Sequence, residues 1–294
     1  MRNFHLDNSR PRHKLTCPAC GHGKVFVPYV DESGQPADAT RFGRCDREFN
    51  CGYHCKPWEH LSGYLPRKPI VIPKPKPTSF IPEDSMKETL GEHQENPLFR
   101  FLAEKFGDEA AVARLFDLYH VGTDTHHIPG ATIFWQVDSK GRVHTGKLMR
   151  YGADGHRVRT GGFNVTWMHS LYALRNFNLR QCFFGEHLLT ANPANKVMLV
   201  ESEKTAIICA HFFPQFTWLA TGGCQGCLNP EAIEALRGRE VWLVPDLDAV
   251  AKWEAKLPML RRVCQSANVA YSILNQATPE QLERQWDIAD FLLQ

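Results

Sequence analysis

The last hundred residues alternate short, wholly apolar runs with amphipathic stretches, which predict strands and helices respectively. The predicted elements are, in order, a strand "VMLVE", a helix "SEKTAIICAHF", a strand "FTWLAT", a helix "NPEAIEALRG", a strand "EVWLVP", a helix over about 249–263 that Pro258 disturbs, a strand "VAYSIL" and a final helix "DIADFLL". Strands that are apolar throughout and alternate with helices indicate a mostly parallel sheet flanked by helices, which is an α/β fold.

Residues 95–194 follow a different pattern. Apolar residues recur every three or four positions between Leu98 and Leu118, and Gly107 interrupts them, so two short helices are predicted. From residue 130 the runs become strand-like and are separated by the turn signals "SKG" and "ADG". We therefore expect a mixed α+β region that contains an antiparallel β meander.

The first third of the chain contains a proline-rich segment after a short β region. The runs "KVFVPYV" and "ATRFGRC", joined by the turn "DESGQPAD", predict a hairpin. The stretch "YLPRKPIVIPKPKPTSFIPEDS" has no helical periodicity and predicts an extended, semi-rigid linker. The predicted organisation is a small β domain at 1–62, a Pro/Lys-rich linker at 63–94, a mixed helical and antiparallel β region at 95–194, and the α/β domain at 195–294.

Composition narrows the class of protein. The chain has 294 residues, of which 43% are hydrophobic and 22% charged, as is typical of folded proteins of one or two domains. The longest apolar runs are far shorter than the roughly 18 residues that span a bilayer, and no apolar signal core follows Met1. We expect a cytoplasmic protein without a membrane partner.

The cysteines favour a metal site. There are ten, and five of them fall between residues 17 and 55 of a chain without an export signal, where disulfides are not expected. Cys17-x-x-Cys20 followed by glycine is a zinc knuckle. By spacing, the second pair of ligands comes from Cys45, Cys51, His54 and Cys55, so the fourth ligand stays open. The preferred set for a structural Zn²⁺ in a zinc ribbon is Cys17, Cys20, Cys45 and Cys51.

Charge is unevenly distributed along the chain, although the net charge is only +2. The first eighty residues have an excess of Lys and Arg, and the last hundred have an excess of Asp and Glu, which suits a protein that binds a polyanion at one end and cations at the other. Arg44 and Arg47, interleaved with aromatic residues such as Phe42, are candidate nucleic-acid contacts on the ribbon. In the basic meander the candidates for template or nucleotide phosphate are Lys147 and Arg150.

Three carboxylates follow two of the predicted parallel strands. Glu201 ends the first strand, and Asp246 and Asp248 follow the third. The carboxyl ends of such strands meet at one edge of the sheet, where sites of open α/β sheets lie. Without cations these groups would repel one another and have raised pKa values, so we predict a site for Mg²⁺ or Mn²⁺. The alternative is that Asp246 or Asp248 only caps the next helix.

The strings "VMLVESEKTA", "LATGGCQG" and "VWLVPDLDAV", in this order, resemble the Toprim (topoisomerase-primase) domain. The resemblance covers about residues 195–294. Its signature is a glutamate after the first strand, a glycine-containing turn after the second and Asp-x-Asp after the third. With the ribbon and "CFFGEHLL", the whole chain is similar to primase-like proteins of phages, plasmids and other mobile elements.

This resemblance implies roles for particular residues. Glu201 would act as acid/base or metal ligand, Asp246 and Asp248 would bind divalent ions, and Lys204 would lie near the incoming phosphate. The chain departs from the family at Thr205, where replicative primases carry an acid. Near the end of the chain, Asp287 and Asp290 resemble the acidic closing segment of phage-type domains.

Three functions are consistent with these observations. The first is a DNA primase-type nucleotidyltransferase that synthesises short primers on single-stranded DNA from nucleoside triphosphates by two-metal phosphoryl transfer, with a separate helicase as a candidate partner. The second is a Toprim nuclease, which would activate water at the same carboxylates. The third is a catalytically inactive protein that binds nucleic acid during replication or mobilisation of a mobile element.

Overall fold

The fold was determined as a computed structural model, which describes residues 4–9, 14–47, 50–60, 76–91, 93–158, 165–223, 226–271 and 277–294. The chain divides into two compact units, Met1–Pro77 and Thr78–Gln294. The first part of the predicted linker, residues 63–75, lies outside the described residues. Its remainder belongs to the second unit from Thr78 onward, where Ile81 is buried and pairs with Val143. No helix in the described ranges is long and apolar enough to cross a membrane.

The first unit is a four-stranded antiparallel sheet whose strands follow chain order. The strands are β1 (His5–Leu6), β2 (Phe26–Val30), β3 (Gly43–Cys45) and β4 (His54–Cys55). The buried core contains Phe26 and three cysteines, so little apolar area stabilises this unit. Gly43 is required because a Cβ at this position would lie 2.3 Å from the Phe26 ring. The predicted hairpin is formed by β2 and β3.

The second unit begins with helices and an antiparallel sheet. The helices are α1 (Glu83–Lys87), α2 (Pro97–Phe106) and α3 (Glu109–Leu118), and the sheet runs in the order β5 (Val121–Asp124), β6 (Ala131–Val137), β7 (Val143–Met149), β8 (Thr166–Trp167). Asn96 and Asp108 accept hydrogen bonds from the first turns of α2 and α3, and Gly107 ends α2 in the left-handed conformation. The two predicted helices and the meander are therefore present.

A four-stranded parallel sheet follows, in the order β10 (Thr217–Ala220), β9 (Val197–Val200), β11 (Glu240–Leu243), β12 (Ser266–Val269). The remaining helices are α4 (Met168–Leu171), α5 (Leu188–Ala191), α6 (Glu203–Phe212), α7 (Val250–Glu254), α8 (Leu257–Leu260), α9 (Pro279–Glu283) and α10 (Ile288–Leu292). The mixed α/β architecture with a parallel sheet agrees with the prediction.

Three predicted elements differ in detail. The helix predicted at "NPEAIEALRG" is a 3₁₀ helix over Ala232–Leu236. The helix predicted at about 249–263 is two short helices, since Pro258 has no N–H and is tolerated only in the first turn of α8. The last strand begins at Ser266, earlier than predicted, because Ser266 pairs with Glu240 at the start of β11. Residues 272–276 of the predicted "VAYSIL" strand lie outside the described residues.

One core joins the two halves of the second unit. Phe116 of α3, Phe134 of the antiparallel sheet and Ile207 of α6 belong to the same buried cluster. A second buried cluster includes Leu199, Val241 and Trp253, so the parallel sheet packs against apolar residues of α7 as well. The predicted regions 95–194 and 195–294 therefore lie in one compact unit.

Candidate functional site

Four cysteine sulfurs of the first unit lie together. The Sγ atoms of Cys17, Cys20, Cys45 and Cys51 all lie within 4.8 Å of one another. The distance is 3.7 Å between Cys17 and Cys51 and 4.0 Å between Cys20 and Cys45. Tetrahedral zinc with Zn–S bonds of about 2.3 Å places its sulfurs about 3.8 Å apart. The cluster therefore has the geometry of a structural Zn²⁺ site.

The structure selects among the candidates for the fourth ligand. The Nε2 atom of His54 lies 2.8 Å from the Tyr29 hydroxyl, and Cys55 is on β4 outside the group of four sulfurs. Cys51 belongs to the group, and its backbone N–H donates to the Arg47 carbonyl at 2.7 Å.

The environment of Cys20 favours the thiolate form. Burial raises the pKa of this thiol, but hydrogen bonds from the His22 backbone and from Cys17 and Cys51 outweigh burial and lower the pKa to about 6. A thiolate is the form that binds metal. The thiolate is thus accessible near neutral pH at one of the four positions.

The basic and aromatic side chains of the ribbon differ in burial and in their contacts. Phe42 is buried, Arg44 is half-buried, and the Arg47 guanidinium lies 2.7 Å from Nδ1 of His22. Within the described part of the ribbon, Trp58 is an exposed aromatic residue. It is 51% exposed and packs edge-on against Tyr29. Sequence reasoning missed Trp58 because it lies after the last cysteine, in a 3₁₀ helix with no recognisable motif.

The predicted carboxylates lie at the carboxyl edge of the parallel sheet. Glu201 follows β9 and Asp246 follows β11, and these two strands are hydrogen-bonded neighbours. Burial, followed by the charges of Asp248 and Asp287, raises the pKa of Glu201 to about 7. The sheet therefore brings residues from distant parts of the chain into one electrostatic cluster.

Asp246 is the most perturbed member of this cluster. Burial raises its pKa first, the charges of Glu201, Asp287, Asp248 and Asp290 add to the shift, and the pKa reaches about 8. Asp248 itself is exposed. Helix α7 begins at Val250 without a side-chain cap, so neither Asp246 nor Asp248 is merely the cap of that helix.

The chemistry of this carboxylate cluster fits a divalent cation. Glu201 is only 8% exposed, and its buried Oε1 has no hydrogen-bond partner among the described residues. A buried oxygen without a partner is costly, and a hard cation would satisfy it. Among the described residues, three or more ligand atoms lie within 4.8 Å of one another only in the cysteine group, which is consistent with repulsion between carboxylates that share no cation.

The predicted basic residues of the second unit have different environments. Arg150 follows β7 and is exposed. Lys204, near the start of α6, donates to the Gly155 carbonyl at 3.2 Å, and burial lowers the pKa of its ammonium. Lys147 lies on β7 and is buried rather than on a solvated surface.

Lys147 forms a buried ion pair that the sequence did not suggest. Its Nζ lies 3.1 Å from Oε2 of Glu203 and 3.0 Å from the carbonyl oxygen of Gly222. Gly222 has φ +81°, and its backbone N–H donates to the Glu201 carbonyl at 3.0 Å. A Cβ at Gly222 would approach Glu203 Oε1 to 3.3 Å. The pair therefore connects the antiparallel sheet to the turn that adjoins Glu201.

Thr205 contacts the end of the chain. Its hydroxyl donates to Oδ2 of Asp287, the residue that precedes α10, and Thr205 is fully buried. Burial raises the pKa of Asp287, although the Thr205 hydrogen bond opposes this shift. Asp287 thus lies beside the carboxylate cluster as a further acidic group.

Comparison with known families gives two matches. The family described as a domain of unknown function, DUF6371, matches residues 96–247, which is more than half of the chain. A zinc β-ribbon finger family matches residues 2–63. No curated protein matches this sequence.

Several solved structures of primases are similar to this chain at low identity. The RNA polymerase domain of Mycobacterium tuberculosis primase DnaG has 13% identity and a TM-score of 0.44, over 72% of this chain and 79% of that one. The primase fragment of the bacteriophage T7 primase-helicase protein has 12% identity and a TM-score of 0.37, over 94% and 99%. Aquifex aeolicus primase, with zinc-binding and RNA polymerase domains, has 12% identity and a TM-score of 0.35, over 59% and 44%. All three TM-scores are below 0.5, and the function proposed for this chain does not rest on these similarities.

Proposed function

This chain belongs to the DUF6371 family, and we propose that it is a primase-type nucleotidyltransferase that acts on single-stranded DNA with a divalent metal ion. The observation that carries the proposal is the buried Oε1 of Glu201, which lacks a partner among the described residues. The negative charges of Asp248 and Asp287, opposed by Lys252, act on the same carboxylate. Such a site would bind divalent cations, together with a polyanionic substrate that those cations contact.

The metal would be held by Glu201 and Asp246, with Asp248 at the exposed side. Mg²⁺ or Mn²⁺ bound there supplies the charge that activates an attacking hydroxyl and stabilises the leaving oxygen. Glu201, with a pKa of about 7, is matched to accepting a proton near neutral pH when no cation holds it. The Asp287 carboxylate acts on the pKa of Lys204, so the two groups are near each other. The Lys204 ammonium would neutralise phosphate charge.

The zinc ribbon and exposed basic residues would hold the template. Trp58 offers an aromatic face for stacking, and Lys56 and Arg44 are close enough to Tyr29 to act on the pKa of that phenol. Single-stranded nucleic acid is bound by such combinations of aromatic and cationic side chains. Arg47 on the ribbon and Arg150 after β7 would add phosphate contacts. Lys147, which is paired with Glu203, would act by holding the turn at Gly222.

The experiment is incubation of the purified chain with single-stranded DNA, labelled ribonucleotides and deoxyribonucleotides, and Mg²⁺ or Mn²⁺. The test variant is Asp246→Ala/Asp248→Ala, and the matched control is Glu104→Ala, an exposed acid on α2. Short products that the double variant fails to make, and that the control still makes, would support the proposal. Shortened template would indicate the nuclease, and unchanged nucleotides with intact DNA binding would indicate a catalytically inactive binding protein.

A further inference from the structure

Thr205 occupies a position at which the resemblance to replicative primases implies an acidic residue. It is buried on α6, four residues after Glu201, and has no charge to offer a cation. Its hydroxyl donates to a carboxylate 82 positions later in the chain, that of Asp287. Thr205 therefore contacts a carboxylate from another segment.

Glu203 is nearer in sequence but is paired elsewhere. It is almost completely buried, and its Oε2 is held by the Lys147 ammonium at 3.1 Å. Asp287, in contrast, acts electrostatically on both Glu201 and Asp246.

The orientation of Asp287 is fixed from both sides. Its Oδ1 accepts the Asp290 backbone N–H at 3.0 Å, and Asp290 Oδ2 accepts the Asp287 backbone N–H at 3.0 Å, which is a capping box at the start of α10. Its Oδ2 accepts from Thr205. The Thr205 hydroxyl lies 3.0 Å from the Ser202 hydroxyl, so Ser202 can donate to Thr205 while Thr205 donates to Asp287.

An independent observation marks the neighbouring space as a ligand site. Glu201 is more than nine-tenths buried, yet its Oε1 has no partner within the described part of the chain. Asp287 is close enough to this glutamate to raise its pKa. The Leu247 backbone N–H donates to the Trp286 carbonyl at 3.2 Å, so the residues next to Asp246 and Asp287 are in contact and bring the carboxylate that Thr205 holds to this cluster.

We propose that Thr205 is a positioning residue, whose hydroxyl holds the Asp287 carboxylate at the Glu201–Asp246 cluster and so completes the cation site. This inference rests on the proposed function, because it takes the cluster to bind a divalent ion. Thr205 would act by orienting Asp287 and would not itself bind the cation. Groups that orient metal ligands typically change metal affinity by about 10- to 100-fold when they are removed.

The test is Mn²⁺ binding to the full chain, measured by electron paramagnetic resonance in the absence of DNA and nucleotides. Thr205→Val keeps the shape of the side chain and removes the hydroxyl, whereas Thr205→Ser keeps the hydroxyl. Thr217→Val is the matched control, since Thr217 is a buried threonine on β10 whose hydroxyl has no partner among the described residues. Thermal unfolding of the metal-free proteins identifies any variant that fails to fold.

We expect Thr205→Val to weaken Mn²⁺ binding about tenfold or more, and Thr205→Ser and Thr217→Val to bind like the unaltered chain. Equal affinity in Thr205→Val and the unaltered chain would overturn the positioning role and leave the proposed function standing. Weakening by Thr205→Ser as large as by Thr205→Val would overturn it as well, because side-chain volume and not the hydroxyl would then matter. Absence of Mn²⁺ binding in the unaltered chain would overturn the proposed metal site itself. If Thr205→Val does not fold, Asp287→Asn must weaken Mn²⁺ binding for the inference to stand.

Discussion

The cysteine cluster and the carboxylate cluster are assembled in different ways. All four cysteines lie between residues 17 and 51 of one small unit, and short turns bring their sulfurs together. The carboxylates come from three segments. The parallel sheet places the segments after β9 and β11 side by side, and contacts with Thr205 and Leu247 hold the segment before α10 against them. A site built by local turns can be read from residue spacing, whereas a site built by a sheet depends on the whole fold.

The two clusters also differ in electrostatics. In the cysteine cluster the thiols differ: hydrogen bonds outweigh burial and lower the pKa of Cys20 to about 6, whereas burial raises the pKa of Cys45 to about 12 and also raises that of Cys51. In the carboxylate cluster, burial and mutual repulsion raise the pKa of Asp246 to about 8 and that of Glu201 to about 7. The cysteine cluster thus contains one thiol that favours the charged form before metal binds, whereas both of these carboxylates disfavour it until a cation arrives.

Replacing two zinc ligands should have the largest effect. Cys17→Ser/Cys20→Ser should abolish zinc binding and unfold the first unit, because structural zinc contributes about 10–16 kcal/mol of apparent binding free energy in small zinc domains and the apolar core here is small. The second unit should remain folded. Zinc content and hydrogen exchange would measure both effects.

The control for this prediction is Cys55→Ser. Cys55 is a half-buried cysteine of the same unit that lies outside the group of four sulfurs, so its replacement should leave zinc content unchanged. Equal zinc loss in Cys55→Ser and in Cys51→Ser would contradict the assignment of the fourth ligand.

Breaking the buried ion pair should have the next largest effect, and it should act on the second unit. Lys147→Met leaves the Glu203 carboxylate buried without its ammonium partner, which typically costs about 3–5 kcal/mol in the free energy of unfolding. Urea denaturation would measure this cost. Lys87→Met is the control, because the Lys87–Glu83 pair is exposed and exposed ion pairs contribute little to stability.

The double variant Lys147→Met/Glu203→Met sharpens this test. It removes both charges, so it should recover most of the stability lost in Lys147→Met. Stability of the double variant no greater than that of the single variant would show that packing around Lys147, and not the unpaired charge, explains the loss.

The comparison also shows what sequence could predict. Alternation of apolar runs predicted the parallel sheet, and strand ends predicted where Glu201 and Asp246 lie, because both follow from the geometry of parallel strands. The partnership of Lys147 with Glu203 was not predictable, because it depends on how the antiparallel sheet packs against α6. For the same reason, the contact of Thr205 with Asp287 has no local signal in the sequence.

Trp58 provides a smaller effect that belongs to the first unit. If its exposed ring stacks on a base, Trp58→Ala should weaken binding of a single-stranded oligonucleotide by about 1–3 kcal/mol, whereas Trp58→Phe should retain much of the affinity. Fluorescence anisotropy at fixed salt would measure the affinities. Leu118→Ala, at a similarly exposed apolar residue of the second unit, should have no effect. Unchanged affinity in Trp58→Ala would remove this residue from the binding surface.

The last effect expected is a pH dependence of stability in the metal-free chain. The pKa of Asp246 rises from its ordinary 3.8 to about 8, and that of Glu201 from 4.5 to about 7. The folded chain therefore binds protons that the unfolded chain releases. The stability contributed by these groups is complete below the unfolded-state pKa values and is lost as the pH rises through the folded-state values. We expect the melting temperature of the second unit to fall as the pH rises from about 5 to 8.

Asp246→Asn tests the origin of this dependence, because asparagine keeps the shape of the side chain and cannot ionise. The variant should show a flatter profile, as should the unaltered chain in saturating Mg²⁺, while Asp84→Asn, at an exposed acid of α1, should keep the original slope. The same slope in Asp246→Asn and in the unaltered chain would assign the dependence to other groups. The zinc ribbon should respond to pH in the opposite direction, since protons compete with zinc for the cysteine sulfurs. Acidification should therefore weaken the cysteine centre while it relieves repulsion in the carboxylate centre, which makes pH a direct way to tell the two centres apart in one chain.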